Sequence, residues 1–596
     1  MVPVVRHRLG RCGVRGLVDA AGFQTKQLSR WNLEDVATPG PFIQPNTPQQ
    51  DRPMKAAELF VKCLENEGVE YIFGIPGEEN IDVMDALLDS PIKFITTHHE
   101  QGAAFMADVY GRLTGRAGVC MSTLGPGATN LITGVADANM DRAPIVAIAG
   151  QGATTRLHKE SHQILDLVSM FQPITKYATQ ILEPGIVPEI VRKAFKVAQT
   201  EKPGATFIDF PENVAEMTTD KKPIKVQRAY TSEAPGHKVD EAARLITAAK
   251  APLILAGNGV IRQGAADSLV TFAEVLRIPV ANTFMAKGVM PFTNDLSLGT
   301  IGMKARDLPW FAFEKADVII CVGYDMVEYH PDMWNPDGDK TIIHIDALPA
   351  EVDERYIVAV GVLGDIPTSL SAIALHAKPQ TSSPFKAVRM AIVADRAEFS
   401  EDTGFPVKPQ KIVWDLREVL GPDDIAISDV GAHKMWMSRM YRAERPNTCI
   451  ISNGFAAMGI AVPGAIAAKL AYPNRKVVAV TGDAGFMMNS QEIETAIRMK
   501  APFVILIWND SEYGLITWHQ MRHFGRPSHI DFKNPDFLKY AESFGAKGYR
   551  VERAEDLLPT LKKALAEDTV TIIDCPVDYA ENMLLTGKLK EMKSPL

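Results

Sequence analysis

The sequence predicts three consecutive α/β domains, each a doubly wound parallel sheet, and three observations carry that reading. At 596 residues the chain exceeds what one hydrophobic core supports, roughly 150 residues per unit. Short β-rich apolar runs alternate with helical segments, the signature of βαβ units. Two polar, proline-containing stretches, around TTDKKPIKVQRAYTSEAPGHK and KPQTSSPF, divide that alternation into three blocks.

Residues 1–53 come first and differ from the rest. Over the first thirty, Arg6, Arg8, Arg11, Arg15, Lys26 and Arg30 face only Asp19, and the stretch ends in a Pro-rich run. It offers nothing to bury and is expected to be disordered, either an organellar presequence or an upstream extension of a protein that begins at Met54. The first domain, 54–220, opens on the helical pattern Ala57, Phe60, Val61 and Leu64, followed by strands at EYIFGI, KFITT, AGVCMST and PIVAIAG. The second, 235–377, has a helix over 240–250 and strands at PLILAGNGV, IPVANTF, DVIICVG and KTIIHID. The third, 405–580, places strands at DIAISDVG, KVVAVTGD, PFVILIWND and TVTIIDCPV, and residues 581–596 read as a C-terminal tail. The first and third blocks have similar lengths and rhythm.

Composition excludes several classes. Apolar residues at 46% and charged residues at 23% are those of an ordinary globular chain. With 63 basic and 72 acidic residues the net charge is −9, and no basic stripe offers a nucleic-acid footprint. The cysteines (12, 63, 120, 321, 449, 575) stand singly, without metal or disulfide spacing. A reducing, cytoplasmic location is expected, or an organellar one if 1–53 is a transit peptide. Two uncharged stretches, 117–136 and 446–468, contain Ser, Thr, Asn, Gly and Pro and suit close packing, not a lipid-facing span.

Chemistry concentrates in the third block. The strand KVVAVT ends in Gly482-Asp483-Ala484-Gly485, and the strand FVILIW ends in Asn509-Asp510. Parallel strands bring both aspartates to one carboxyl edge, where ligands of open α/β sheets collect. Small residues let backbone N–H groups approach an anion, and Asp483 and Asp510 offer hard oxygen ligands. A magnesium diphosphate is the natural occupant. Taken alone, Gly-Asp-Ala-Gly is an ordinary strand-to-helix turn with a capping Asp.

From Gly482 to Asp510 inclusive is 29 residues, and this frame resembles the cofactor motif of thiamine-diphosphate enzymes, which begins Gly-Asp-Gly and ends Asn-Asn. Here Ala484 replaces the last Gly and Asp510 the final Asn, a change that keeps an oxygen ligand. The resemblance makes the three domains pyrimidine-binding, middle and diphosphate-binding in turn. It implies Mg²⁺ held by Asp483, Asp510 and the backbone carbonyl of Glu512. It also implies that Glu100, at the helix start in HHEQGAA, hydrogen-bonds N1′ of the aminopyrimidine and favours the imino tautomer that deprotonates the thiazolium. Turns FGIPGEEN and LGPGATN supply Gly74, Pro76, Gly77, Pro126 and Asn130 around the pyrimidine. DVGAHKMW supplies Gly431, Ala432 and His433, Met458 the wedge that bends the cofactor, and WNDSEYGLI adds Tyr513 and Leu515.

More narrowly, SHQILDLVSMFQPITKY, GYDMVEYHPDMWN, WMSRMYR, WNDSEYGLI, KYAESFGA and VDYAEN resemble acetolactate synthases of the catabolic, flavin-independent kind. That likeness implies Gln163 and Lys176 as active-site groups with His162 nearby, Leu515 and His519 beside the acceptor, and condensation of two pyruvates with loss of CO₂. It further implies a homodimer or homotetramer with sites at subunit interfaces. Gly257-Asn258-Gly259 is no dinucleotide fingerprint, because the next Gly falls at 264. YDMVEY stands where flavin-dependent relatives carry FDDR, so FAD is not expected. The alternatives are another thiamine-diphosphate 2-oxo acid carboligase or decarboxylase, for which His98 and His99 leave room, and a non-catalytic paralogue subunit.

Overall fold

The computed structural model describes residues 53–227, 231–303 and 305–596; the expectations for 1–52 lie outside them. Three six-stranded, all-parallel sheets follow one another. In the first the spatial order is Lys93–Thr96, Tyr71–Gly74, Gly118–Ser122, Ile145–Gln151, Ala205–Pro211, Tyr177–Gln180. The third repeats this order with Cys449–Ile451, Ile425–Ser428, Val477–Gly482, Val504–Asn509, Thr571–Pro576 and Lys547–Arg550. The middle sheet differs, running Ser297–Thr300, Val280–Asn282, Pro252–Ala256, Val318–Val322, Thr341–Asp346, Val358–Leu363.

The central strands are buried along their length, as both faces of a parallel sheet are covered by helices. The two uncharged stretches resolve into strands and buried helices. Pro126–Met140 and Ala461–Ala471 both pack on helix Glu100–Thr114, and no helix among the described residues is long and apolar enough to cross a membrane. Contact across the first and third domains is close: a Cβ on Gly464 would stand 2.8 Å from Val109 Cγ2.

Within this apolar contact lies a buried charge cluster. Arg112 Nε donates to Asp108 Oδ1 at 2.7 Å, and its Nη2 reaches Asp137 and Asp141. Those aspartates also hold the third domain: Asp137 Oδ1 accepts from Ser452 Oγ at 2.8 Å and Ala457 N at 3.1 Å, and Asp141 accepts from the backbone of Asn453 and Gly454. Arg112 Nη1 completes the clamp on Ile451 O at 3.1 Å. Burial and the neighbouring carboxylates push Asp137 well above its ordinary range.

Of residues 581–596, expected as a tail, 581–591 instead belong to helix Ala580–Glu591, with Leu585 and Leu589 in the third-domain core. Asn582 Oδ1 accepts from Trp436 Nε1 and Thr586 Oγ1 from Trp518 Nε1, both at 2.8 Å. Lys588 and Lys590 masked this helix in the sequence because its apolar positions are few and its burial is tertiary.

Replacing Arg112 by Leu leaves three buried aspartates facing one another without a cation, and should cost about 3–5 kcal/mol. Urea unfolding of the variant should show a large drop in midpoint; an unchanged midpoint would show that the cluster does not hold the two domains.

Candidate functional site

The aspartate pair forms as the strand endings require. Val477–Gly482 and Val504–Asn509 are neighbours in register, Gly482 beside Trp508, so Asp483 and Asp510 emerge together at the carboxyl edge. Asp483 Oδ1 accepts from Ala484 N at 2.9 Å, while Oδ2 accepts from Ser511 N and Asn534 Nδ2, both at 2.7 Å. Burial first, then the carboxylates of Asp483 and Glu512, push Asp510 up to about 8. A buried carboxylate, Asp483, facing a half-buried one, Asp510, that it repels is a place for a cation. The Glu512 side chain is turned away to Thr517 Oγ1 at 3.0 Å.

Around them a cavity of about 170 Å³ is lined by Val430, Gly431, Ala432, His433, Ala456, Met458, Gly482, Asp483, Ala484, Gly485, Asp510, Glu512, Tyr513, Gly514, Leu515, Ile516 and Tyr579. A Cβ on Gly431 would meet the His433 ring at 2.7 Å, and one on Gly485 the Asp429 carboxylate at 3.1 Å. Asp429 ties the cradle together, accepting from Val430 N, Gly459 N and Ala461 N at 2.7, 2.8 and 3.1 Å. That places Met458, next to Gly459, over the cavity.

Buried polar atoms without a partner here include His433 Nε2, Asn534 Oδ1 and, behind His433, Trp508 Nε1. Burial pushes the His433 imidazole down to about 3, so it is neutral and offers one nitrogen to a ligand. Among the described residues no three His, Cys, Asp or Glu side chains converge on a metal position. A divalent cation here would therefore take only two protein carboxylates and complete its shell with backbone and ligand oxygens, as magnesium at phosphates does. The residues present fit a metal diphosphate.

A second cluster forms at the carboxyl edge of the first sheet. Glu100 opens helix Glu100–Thr114, 8% exposed, and accepts from Asn130 Nδ2 at 2.9 Å. A Cβ on Gly74 would stand 2.0 Å from Met121 O, and one on Gly77 2.3 Å from Thr123 Cβ, so the turns bearing Pro76 and Pro126 close on each other only as glycine turns. Thr123 Oγ1 donates to Glu79 at 2.7 Å, and Gly77 N to Asn80 Oδ1 at 3.0 Å. Gln163, in left-handed backbone at φ +59°, lies against Gly125, whose Cβ would be 2.9 Å from its own.

The two clusters do not meet within one chain. Every residue lining the 170 Å³ cavity belongs to the third domain. The start of the Glu100 helix instead faces the third domain elsewhere, with His98 N and His99 N donating to Glu492 Oε1 at 3.0 and 3.1 Å.

Residues 54–170, 239–373 and 429–575 match, in turn, the N-terminal TPP binding domain, the central domain and the C-terminal TPP binding domain of the thiamine pyrophosphate enzymes. The chain is 38% identical over 543 residues to an acetolactate synthase of Bacillus subtilis, covering 89% of this chain and 95% of that one. The chain belongs to the acetolactate synthase family. It is also 37% identical to the catabolic acetolactate synthase of Raoultella terrigena, over 89% of this chain and 97% of that one. The same identity, over 91% and 96%, relates it to a probable acetolactate synthase large subunit of Methanocaldococcus jannaschii.

Within an acetolactate synthase frame, one expected site residue is placed elsewhere. Lys176 precedes strand Tyr177–Gln180, at the amino edge of the first sheet and opposite Glu100. Its Nζ donates to Val197 O, Thr200 O and Lys202 O at 2.7, 2.7 and 2.6 Å. It caps the end of helix Val187–Gln199, and the structure does not bring it to the other site residues. Tyr579, Asn534 and Asp429 were given no role from sequence. Tyr579 belongs to VDYAEN and Asp429 opens DVGAHKMW; Asn534 lies in a polar loop that carries no motif and reaches Asp483 only through folding.

A larger cavity of about 720 Å³ adjoins the first through Leu515, with Met303, Met326, Met333, Met435, Trp518 and His519 in its wall. It is predominantly apolar, suited to a small ligand that must be kept from water.

Asn534→Ala removes the amide that fixes Asp483 and should weaken binding of thiamine diphosphate with Mg²⁺ by about 10-fold or more, as loss of a group orienting a metal ligand does. Quenching of intrinsic fluorescence on cofactor titration reads this; unchanged affinity would mean that Asp483 needs no such support.

Proposed function

We propose that this protein condenses two pyruvates to 2-acetolactate with release of one CO₂, using thiamine diphosphate and Mg²⁺ and no FAD. The observation that carries the reading is the pair of carboxyl-edge clusters, one built for a metal diphosphate and one presenting a buried Glu100. When bound, the cofactor supplies the electron sink for decarboxylation and carbon–carbon bond formation.

The chain's own residues do the rest. Asp483, Asp510 and the Glu512 carbonyl would hold Mg²⁺; His433 and the glycine turns would hold the diphosphate; Met458 would shape the bound cofactor. Glu100, kept in place by Asn130, would hold a proton at the pyrimidine. Gln163 would face the reacting centre from beside Gly125. The apolar wall around Leu515 and His519 would hold the acceptor pyruvate while keeping acids and water out.

The separation of the clusters within one chain supports a site completed by a second copy, the first domain of one subunit closing over the third domain of the other. A homodimer is then the minimum working unit. The decarboxylase reading wants histidines available to deliver a proton. Here His98 Nε2 is engaged with Glu494 at 2.8 Å and His99 Nδ1 accepts from Gln101 N at 3.0 Å. A cytoplasmic location accords with five described cysteines that are all unpaired and buried.

Protein with Mg²⁺, thiamine diphosphate and pyruvate should release one CO₂ per two pyruvates, and acid should convert the product to acetoin. Acetaldehyde with one CO₂ per pyruvate would establish a decarboxylase instead. Glu100→Gln should retain the cofactor yet slow hydrogen–deuterium exchange at its C2 by about 100-fold or more; wild-type exchange in that variant would remove Glu100 from the mechanism.

A further inference from the structure

The cavity of about 720 Å³ beside the diphosphate cradle has one buried cation in its predominantly apolar wall. His330, His519, Arg522 and Lys590 also line it, and all four are exposed. Lys434 is 6% exposed. It follows His433 in helix Ala432–Met440, so the chain passes within one residue from the wall of the diphosphate cavity to the wall of its neighbour. Leu515 stands in both walls. The acids of the larger cavity are committed elsewhere: Asp332 is exposed beside His330 Nδ1 at 3.4 Å, and Glu328 accepts from Asn258 N and Thr283 Oγ1.

A lysine taken this far from water is costly unless its charge is answered. Among the described residues no atom accepts a hydrogen bond from Lys434 Nζ, and no carboxylate stands in ion-pair contact with it. Burial pushes the ammonium down to about 8 against the pull of Asp141 and Asp137, and Arg112 presses in the same direction as burial. Those two aspartates are already engaged by Arg112, by Ser452 Oγ and by the backbone of Asn453, Gly454 and Ala457. Lys434 is therefore a charged donor without a partner, in the wall of a cavity that suits a small ligand.

We propose that Lys434 binds the carboxylate of the second, acceptor pyruvate and, after the reaction, the same carboxylate in 2-acetolactate. The inference rests on the acetolactate reading of the site. Chemistry decides between the two pyruvates. The first loses its carboxylate as CO₂, and a cation held on that group would stabilise the charge that has to leave. The second keeps its carboxylate: its carbonyl carbon bonds to the former carbonyl carbon of the first, and its carbonyl oxygen takes up a proton. Two pyruvates and one proton thus give one 2-acetolactate and one CO₂. An ammonium in an apolar wall fixes the surviving charge by a charge-assisted hydrogen bond, while Met303, Met326 and Met435 surround the rest of the acceptor. An acceptor without a carboxylate gains nothing from it.

The test compares full-length wild type with Lys434→Met and Lys434→Gln, each with Mg²⁺, thiamine diphosphate and pyruvate as donor, and near-UV circular dichroism as the check of fold. Two acceptors are offered: pyruvate, and added acetaldehyde, which has no carboxylate and yields acetoin directly. Acetoin assayed before and after acid treatment separates the two products. In a folded variant kcat/KM for acceptor pyruvate should fall at least about 10-fold, as loss of a hydrogen bond to a charged group does, while transfer to acetaldehyde falls far less. CO₂ released per acetolactate should rise. Equal loss on both acceptors, or no loss on either, would overturn the proposal. Loss of fold in both variants would overturn it too, because Lys434 would then be a counter-ion of the acid cluster. Wild type that releases acetaldehyde with one CO₂ per pyruvate would sink the acetolactate reading, and this inference with it; wild type that forms acetolactate beside unaffected variants sinks this inference alone.

Discussion

One guanidinium, Arg112, is sealed among Asp108, Asp137 and Asp141, and the geometry of both ligand clusters depends on it. Burying such charges is expensive, and the arrangement is held by the backbone and side-chain hydrogen bonds of Arg112, Asp137 and Asp141, while Asp108 Oδ2 is left without a partner. Those bonds run across the contact of the first and third domains. By gripping Ser452, Asn453, Gly454 and Ala457, the aspartates fix the loop that delivers Met458 to the diphosphate cavity. Arg112 itself is on the helix that Glu100 opens. A single electrostatic knot thereby ties helix Glu100–Thr114 to the loop that precedes Met458.

The two clusters are variations on one solution. First and third sheets share a strand order, so each presents turns at the same carboxyl edge. What differs is the chemistry loaded there. In the third, adjacent strands end in aspartates and glycines suited to a cation and an anion. In the first, glycine turns crowd closely beside one buried acid, Glu100. The middle domain has the order that binds nucleotides elsewhere, yet its turns are bound to each other and to Glu328.

Much of this was legible in the sequence. The fold class followed from alternation and from central strands such as VVAVT and VILIW, which are apolar because both faces are covered. The strands that escaped notice are chiefly at sheet edges: Tyr177–Gln180, Ser297–Thr300, Val358–Leu363, Cys449–Ile451 and Lys547–Arg550. Their apolar runs are short or interrupted, so periodicity weakens; Tyr177–Gln180, Val358–Leu363 and Lys547–Arg550 are also partly solvated, whereas Cys449–Ile451 is buried but only three residues long. Ala205–Pro211 was missed despite its burial. Asp483 and Asp510 stood out because their spacing is a property of two adjacent strands. Asn534, Tyr579 and Asp429 did not, since their roles arise from loops that meet only in three dimensions. Lys176, expected at the site by likeness of segment, has its three carbonyl partners at the opposite edge of the sheet.

In the proposed function neither cluster works alone, and each active site would take its acid from one chain and its diphosphate cradle from another. Mixing Glu100→Gln chains with Asp483→Ala chains, both inactive by themselves, under conditions that exchange subunits tests it most directly. Random pairing into symmetric dimers should restore about a quarter of wild-type activity, because each mixed dimer regains one intact site of its two. A mixture as inactive as its components, with mixed dimers shown to form, would mean that both halves of the site come from the same chain.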